Sequence, residues 1–242
     1  MERVFNKLIP YPECRRGCKE GWVVDNKGEI IENDDGSSTH CRCYYLNKYL
    51  DANIGKAYWD LTVDNFDGHP NDLAHIVDYM NKIPTMYEKG FGIYLHGGNG
   101  AGKTTLALLL LKEVLDKSNK ATALFAPFAD VVLMNNRIVS GYADKEAQKG
   151  IEIIKNVDFL VIDDIGKEFD NGKDHARATL NSILRYRDMW NKPTIYTANS
   201  VIEDLRPHYG DANYSIMEGR SRIITMEYDR DFRKEKKHEE ED

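Results

Sequence analysis

One stretch decides the fold of this chain, Gly97-Gly98-Asn99-Gly100-Ala101-Gly102-Lys103-Thr104. It matches the pattern G-x-x-x-x-G-K-[ST], in which glycines let backbone N–H groups turn towards phosphate oxygens. An apolar run at residues 92–96 precedes it and predicts a buried strand, and residues 105–115 follow with the composition of a helix. Strand, glycine loop and helix, in that order, are the context that a phosphate-binding loop requires. We therefore predict that residues 97–104, together with Thr105, bind ATP, with Lys103 on the β- and γ-phosphates and Thr104 on Mg²⁺.

The composition is that of a globular protein with room for one medium domain and a small appendage. The chain has 242 residues, 41% hydrophobic and 30% charged, and a net charge of -7. That charge argues against a surface coated throughout for nucleic acid, although a local basic groove stays open. The first residues lack a signal-peptide core, and the most apolar run, residues 106–111, is too short to cross a bilayer. We expect a cytoplasmic protein without membrane contact, in which the four cysteines are reduced.

The pattern of apolar runs predicts an α/β fold with a parallel sheet. From residue 91 onward, short apolar runs alternate with helical patterns, which is typical of βαβ units. Before them, a helix is expected at residues 71–83, ended by Pro84. The five strands of the sheet are predicted at residues 92–96, 122–126, 158–162, 194–198 and 223–228.

The distribution of motifs predicts four segments. All four cysteines lie in the first 43 residues, whereas the glycine loop starts at residue 97. We expect a small N-terminal zinc-binding module at residues 1–55, a connector at 56–90, and an ATPase domain at 91–228. Residues 229–242 are rich in both charges and predict a disordered, solvated tail.

Two carboxylates follow the third predicted strand, in the run Asp158-Phe-Leu-Val-Ile-Asp163-Asp164. The carboxyl ends of neighbouring parallel strands meet at one edge of a sheet, so these side chains are expected beside the glycine loop. Asp163 is expected to orient Mg²⁺, and Asp164 to act as the base that polarises the attacking water. Asn199 ends the next strand and would face the γ-phosphate if that strand lay between those of the glycine loop and Asp163.

Two arginines near the last strand, Arg220 and Arg222, are candidates for a catalytic role across a subunit interface. They follow a predicted helix at residues 201–209. An arginine in such a place can stabilise phosphoryl charge in a neighbouring subunit, which would make the protein self-associate through its ATP site. The alternative is a pair of surface arginines at a helix end.

The N-terminal cysteines predict a zinc site. They form two pairs, Cys14-x3-Cys18 and Cys41-x-Cys43, and four thiolates are a strong tetrahedral ligand set for Zn²⁺. His40 is a possible substitute ligand. Between the pairs, residues 25–29 and 33–36 carry the turn chemistry of a hairpin, which suits a zinc ribbon. Four reduced cysteines without a metal are the alternative.

The order of these motifs resembles one family, the bacterial and phage replicative helicase loaders of the DnaC/DnaI type, which are AAA+ ATPases related to the replication initiator. The resemblance includes Tyr58-Trp-Asp-Leu-Thr-Val-Asp-Asn-Phe66, the glycine loop, the run 162–166 with Glu168, and the strand ending in Asn199. It implies an AAA+ fold and a nucleotide site shared between subunits, with an arginine finger for which Arg222 is the better match. It also implies contact of the ATPase domain with single-stranded DNA and of the N-terminal module with a replicative ring helicase. The C-x3-C spacing of the first cysteine pair departs from the family's usual C-x2-C.

Three alternatives to a helicase loader stay open. A transposase-helper ATPase of the same clade would share the ATPase motifs, but that family lacks the cysteine module. A zinc adaptor could bind ATP as a switch without significant hydrolysis. A small-molecule kinase with a phosphate-binding loop would need an arginine-rich lid, which the sequence lacks, and it leaves Asn199 without a role.

Overall fold

The computed structural model describes residues 3–5, 11, 14, 17–33, 37–139, 144–167 and 173–227. Its centre is a five-stranded parallel sheet in the order β2-β3-β4-β1-β5. The strands are β1 (Gly92–His96), β2 (Ala123–Pro127), β3 (Phe159–Ile165), β4 (Thr194–Ala198) and β5 (Ser221–Thr225). The helices are α1 (Arg42–Asp51), α2 (Pro70–Met80), α3 (Ile83–Lys89), α4 (Lys103–Lys117), α5 (Phe128–Val139), α6 (Lys145–Asn156), α7 (Lys173–Met189) and α8 (Ile202–Gly219), with a single 3-10 turn at Lys56–Tyr58.

The five predicted strands are confirmed, and β4 does lie between β1 and β3. Three of the strands differ from the prediction at their ends. Strand β2 lies one residue later than predicted, and β3 begins one residue later, at Phe159. Strand β3 continues through Asp163 and Asp164 to Ile165 instead of ending before them. Strand β5 begins two residues earlier than expected and ends at Thr225. Parallel strands that are covered on both faces read as continuous apolar runs, which is why the runs were recognisable.

The predicted connector helix was wrong at its C-terminal end. Helix α2 ends at Met80, and Pro84 lies in the first turn of the separate helix α3. The first turn of a helix has backbone N–H groups without intrahelical partners, so proline's missing N–H costs nothing there. The proline therefore marks a helix start and not a helix end.

Two apolar cores cover the two faces of the sheet. The first contains the buried face of α4 with residues from α1, α2 and the segment 52–54. The second is formed by α5 to α8. Tyr49, Leu50, Ala52 and Ile54 are buried in the structure, and Asn53 Nδ2 donates to Phe125 O of the edge strand β2 at 2.9 Å. Packing therefore continues from α1 into the sheet across the expected boundary at residue 55.

A buried arginine of α7 binds the sheet at the end where β3 and β4 begin. The Arg187 guanidinium donates to the carbonyls of Val157 and Pro193 at 2.8 and 2.7 Å and to Thr194 Oγ1 at 2.9 Å.

Among the described residues, none of the helices combines the length and the apolar content needed to cross a membrane. The predicted tail at 229–242 lies outside the described part of the chain.

Candidate nucleotide and zinc sites

The glycine loop has the backbone geometry that its sequence predicts. Gly97, Gly100 and Gly102 have φ angles of 154°, 77° and 87°, a region that side chains with a Cβ rarely occupy. A Cβ on Gly97 would also lie 2.8 Å from Met226 Cβ. Gly102 is the residue before the first turn of α4, so the loop leads directly into a helix N-terminus. Backbone N–H groups and the positive end of the helix then face the same space, which suits an anion.

Lys103 places its charge inside the loop. Its Nζ donates to Gly97 O at 2.9 Å and to Gly98 O at 2.6 Å, and the side chain is buried. The ammonium is thus held over the loop by the loop's own carbonyls. This is where a lysine can reach phosphate oxygens bound in the cradle.

Thr104 and Asp163 are brought together from α4 and β3. Thr104 Oγ1 donates to Asp163 Oδ1 at 2.9 Å, and Thr197 Oγ1 of β4 donates to the same oxygen at 2.7 Å. Burial raises the pKa of Asp163, and these two hydroxyls act in the opposite direction. Hydroxyl and carboxylate oxygens side by side are the donor set that Mg²⁺ prefers, so these residues fit the cation that the sequence predicts.

Asp164 stands on a β-bulge that the sequence did not reveal. The pairing of β3 with β4 shifts register between Ile162 and Ile165, and Asp164 has a φ of 58°. Its N–H donates to Thr197 Oγ1 at 2.9 Å. A bulge re-aims a side chain, and here the Asp164 carboxylate lines the cleft above the loop, where Lys167 Nζ pairs with it at 2.9 Å. Glu168, which is part of the family resemblance, lies outside the described residues.

Asn199, which is expected to face the γ-phosphate, contacts the glycine loop. It follows β4, and its Nδ2 donates to Asn99 Oδ1 of the glycine loop at 3.0 Å. Both amides line the same cleft as Asp164. The side chain expected to face the γ-phosphate is therefore in contact with the loop that would hold it.

The cleft has one wall that the motifs did not assign. The volume of the cleft is about 470 Å³, and the glycine loop forms one side of it. The other side is formed by residues 57–67 of the connector, which include the run that carries the family resemblance. A Cβ on Gly102 would meet the Phe66 ring at 3.7 Å, which shows how closely this wall approaches the loop. The wall residues are Ala57, Tyr58, Asp60, Leu61, Asn65, Phe66 and Asp67.

The two arginines lie at the other end of the sheet. Ser221 of β5 pairs with Gly92, the first residue of β1, whereas the glycine loop follows the last residue of β1. Arg222 Nη1 bonds to Asp78 Oδ2 at 2.7 Å and its Nη2 contacts His75 Nδ1 at 3.0 Å. Arg220 Nε bonds to Asp188 Oδ1 at 2.6 Å. Neither side chain reaches the chain's own phosphate loop; both are held by carboxylates of the same chain.

The four cysteines form one cluster. Their sulfur atoms all lie within 4.8 Å of one another, with Cys14 Sγ 3.6 Å from Cys41 Sγ and Cys18 Sγ 3.2 Å from Cys43 Sγ. A tetrahedral site with Zn–S bonds of about 2.3 Å places its sulfurs roughly 3.8 Å apart, so the cluster fits Zn²⁺.

Secondary structure explains how the cysteine pairs meet. Antiparallel bridges join Val24 with Ile30 and Trp22 with His40, which forms the expected hairpin between the pairs. Cys41 precedes α1 and Cys43 lies in its first turn. The substitute ligand His40 is instead stacked between the rings of Trp22 and Tyr44, with both centroid distances at 3.7 Å. Its role in the structure is packing within the hairpin.

Comparison with known proteins supports the resemblance. No family model matches the chain. The replicative helicase loader DnaI of Bacillus subtilis (strain 168) is 25% identical over 234 residues, which cover 86% of this chain and 72% of the relative. The crystal structure of the DnaC helicase loader has a TM-score of 0.62 and 24% identity over 72% of this chain and 100% of that chain. The replication initiator DnaA bound to AMPPCP and single-stranded DNA has a TM-score of 0.57 and 21% identity over 76% of this chain and 56% of that chain. The chain therefore has an AAA+ fold with a cysteine cluster that could hold zinc, and it resembles the DnaC/DnaI-type replicative helicase loaders.

Proposed function

We propose that this protein loads a replicative ring helicase onto single-stranded DNA in an ATP-dependent step. The observation that carries the proposal is the contact of Thr104 with Asp163 at the head of the phosphate-binding loop, in a chain that is similar to DnaI over most of its length. A fold alone would not indicate chemistry. The paired hydroxyl and carboxylate, the loop and the cleft together make a site for a nucleoside triphosphate with its cation.

Each residue of the site has a separate part in the proposed ATP hydrolysis. Lys103 and the backbone N–H groups of the loop hold the phosphates, and Thr104 with Asp163 would hold Mg²⁺. The cation, when bound, neutralises charge on the β- and γ-phosphates. Asp164 takes the proton of the attacking water, and Asn199 orients that water and the γ-phosphate.

The proposed partners follow from the family resemblance. The zinc-binding module docks on the helicase, and the ATPase domain contacts single-stranded DNA. Subunits associate through the ATP site, where Arg222 of one subunit faces the γ-phosphate of the next. We place these events in the cytoplasm.

A helicase-loading experiment tests the proposal. Candidate ring helicases are incubated with closed circular single-stranded DNA, ATP and this protein, and DNA-bound helicase is separated by gel filtration. Loading is expected with the wild type and not with Lys103→Ala. The proposal fails if no candidate helicase binds the protein, or if loading is equal without ATP.

An ATP-dependent switch with little hydrolysis is the second candidate, and one contact favours it. The Lys167 ammonium already pairs with an oxygen of the Asp164 carboxylate. Lys167 therefore competes with the attacking water for the oxygen that would accept the water's proton. ATP hydrolysis measured with and without single-stranded DNA separates the two functions, because a switch retains ATP-dependent helicase binding while its turnover stays near background.

A further inference from the structure

A buried lysine on α4 is not part of the site described above. Lys112 is only 4% exposed, and its Nζ donates to three backbone carbonyls. The acceptors are Tyr58 O at 3.2 Å, Trp59 O at 2.8 Å and Leu61 O at 2.5 Å. An ammonium has three N–H donors and no acceptor, so these three bonds use all of its hydrogen-bonding capacity.

All three carbonyls belong to the wall of the cleft that faces the glycine loop. Tyr58 and Leu61 line the cleft themselves, and Trp59 lies between them. Beyond Leu61 the backbone of the wall forms a turn, in which Asn65 Nδ2 donates to Asp60 O at 2.8 Å and Asn65 Oδ1 accepts from Thr62 N at 2.7 Å. Apolar side chains of the wall pack against the first core, and Lys112 adds hydrogen bonds that fix the backbone of the wall to α4.

The same helix carries the phosphate site at its other end. Lys103 and Thr104 begin α4, and Lys112 lies about two and a half turns further on, a distance of roughly 13 Å along the axis. One rigid element thus fixes both the phosphate-binding loop and the opposite wall of the cleft. The distance between the glycine loop and the wall that faces it is then set by α4.

Burying the ammonium of a lysine in this position costs desolvation free energy, unless hydrogen bonds or opposite charges compensate for the lost water. Burial lowers the pKa of Lys112, while the negative charges of Asp116 and Asp60 oppose that shift. An apolar side chain could fill the same space without the desolvation cost. The three carbonyls of the wall offset this cost together with the carboxylates of Asp116 and Asp60.

We propose that Lys112 is a positioning residue for nucleotide binding, which holds the connector wall at the distance from the glycine loop that a nucleoside triphosphate requires. This inference rests on the proposed binding of ATP in the cleft. Lys112 acts through the wall and not on the phosphates. It contributes to the affinity that comes from the nucleoside part of the ligand, and it leaves the binding of the phosphate chain alone unchanged.

The test compares two ligands, ATP and inorganic triphosphate, each with Mg²⁺. Their dissociation constants are measured by calorimetric titration for the wild type, Lys112→Met and the control Lys117→Met. Lys117 lies on the same helix but is exposed and pairs with Glu113. The control substitution therefore removes the same charge without affecting the wall. We expect Lys112→Met to raise the dissociation constant of ATP about tenfold, and to leave that of inorganic triphosphate within about twofold of the wild-type value. A misplaced wall affects only the ligand that contacts it.

The outcomes separate this inference from the proposed function. If ATP affinity in Lys112→Met equals that of Lys117→Met, or if both ligands weaken in parallel, the positioning role is wrong. If the wild type binds neither ligand, the proposed ATP site itself fails. Should Lys112→Met not fold, Lys112→Arg replaces it. The guanidinium is larger than an ammonium, and its donors lie in a fixed plane, so they do not match the positions of these three carbonyls. A smaller but still selective loss of ATP affinity is therefore expected, and an unchanged ATP-to-triphosphate ratio overturns the inference.

Discussion

Two adjacent aspartates of β3 lie in opposite environments. Asp163 is 7% exposed and accepts hydrogen bonds from two hydroxyls, whereas Asp164 is half-exposed and faces the cleft. In a regular strand, neighbouring side chains point to opposite faces. The bulge at Asp164 changes this, so that one carboxylate lies at the proposed cation position and the other reaches the space above the phosphates. Two different chemical tasks can then be carried by consecutive residues.

Substitution of these two aspartates should have different effects. Asp164→Asn is expected to bind ATP normally and to hydrolyse it about a hundredfold more slowly, because an amide cannot accept the proton of the attacking water. Asp163→Asn should weaken both Mg²⁺-dependent binding and hydrolysis. ATP binding and single-turnover hydrolysis are measured on both variants. Wild-type hydrolysis by Asp164→Asn would move the base to another residue.

The pH dependence of cation binding should depend on Thr197. Burial raises the pKa of Asp163, and the Thr197 hydroxyl lowers it. Removing that hydroxyl in Thr197→Val therefore raises the pKa further, and the protonated carboxyl cannot hold Mg²⁺. On acidification, Mg²⁺-dependent ATP binding should be lost at a higher pH in the variant than in the wild type. Titrations along a descending pH series check this, with Mg²⁺-independent binding as the control; coincident curves would contradict the assigned cation position.

At the scale of elements, the sequence specifies what is local and continuous. The glycine loop and its flanking strand and helix were predictable, because the motif requires that order and each element is encoded within a few residues. The bulge at Asp164 depends on the pairing of β3 with β4, which no local pattern of β3 contains. The same holds for the cleft wall, since residues 57–67 reach the loop only through tertiary packing.

The connector shows how a single residue type can mislead. The sequence pattern predicts that Pro84 ends a helix, but proline is also favoured in the first turn of a helix. The pattern at 71–83 therefore spans the break between α2 and α3 at Asn81. Metal-ligand spacing was more informative, since the two cysteine pairs do meet although one pair has an unusual spacing. His40 shows the limit of that reasoning, because an aromatic stack and a ligand position look alike in sequence.

Removal of zinc should affect the hairpin and not the body of α1. The hairpin is held by a few bridges, such as Val23 N to Thr39 O at 3.0 Å. Helix α1 is anchored by core burial of Tyr49, whose hydroxyl bonds to Asp116 of α4 at 2.6 Å. We expect one Zn²⁺ per chain bound by Cys14, Cys18, Cys41 and Cys43, and we expect chelation to unfold the hairpin alone, because so small a unit depends on its metal.

Elemental analysis and hydrogen exchange measure this directly. On chelation, the amides of the hairpin should exchange faster, while those of residues 49–54 stay protected. His40→Gln is the matched control and should keep its zinc. Protein purified without chelator that contains no zinc would refute the metal site, and equal loss of protection in α1 would show that the module extends into the helix.

At the scale of the whole molecule, the candidate functional residues lie at both ends of the sheet. The glycine loop, Asp164 and Asn199 lie at the carboxyl ends of the strands, and Arg222 lies near the opposite end of β5. The strand rise places Arg222 about 13 Å below the level of the loop. An arginine so placed cannot serve its own site, which is consistent with a role in a neighbouring subunit. Within one chain its partner is Asp78, and the two side chains are partly exposed.

The assembled state should reveal whether Arg222 acts in a neighbour's site. Arg222→Ala is expected to leave ATP binding by the single chain intact and to reduce hydrolysis about a thousandfold where subunits assemble on single-stranded DNA, as arginine fingers do elsewhere. Lys103→Ala, in contrast, offers an arginine but cannot hold ATP. A mixture of the two variants contains interfaces that combine an intact phosphate loop with an intact Arg222, so partial recovery of DNA-stimulated hydrolysis is expected. Arg220→Ala, whose partner is Asp188, is the matched control for the loss of a nearby ion pair. Full activity of Arg222→Ala alone, or a mixture that stays inactive at concentrations where the wild type assembles, would assign the finger to Arg220 or remove it from the mechanism.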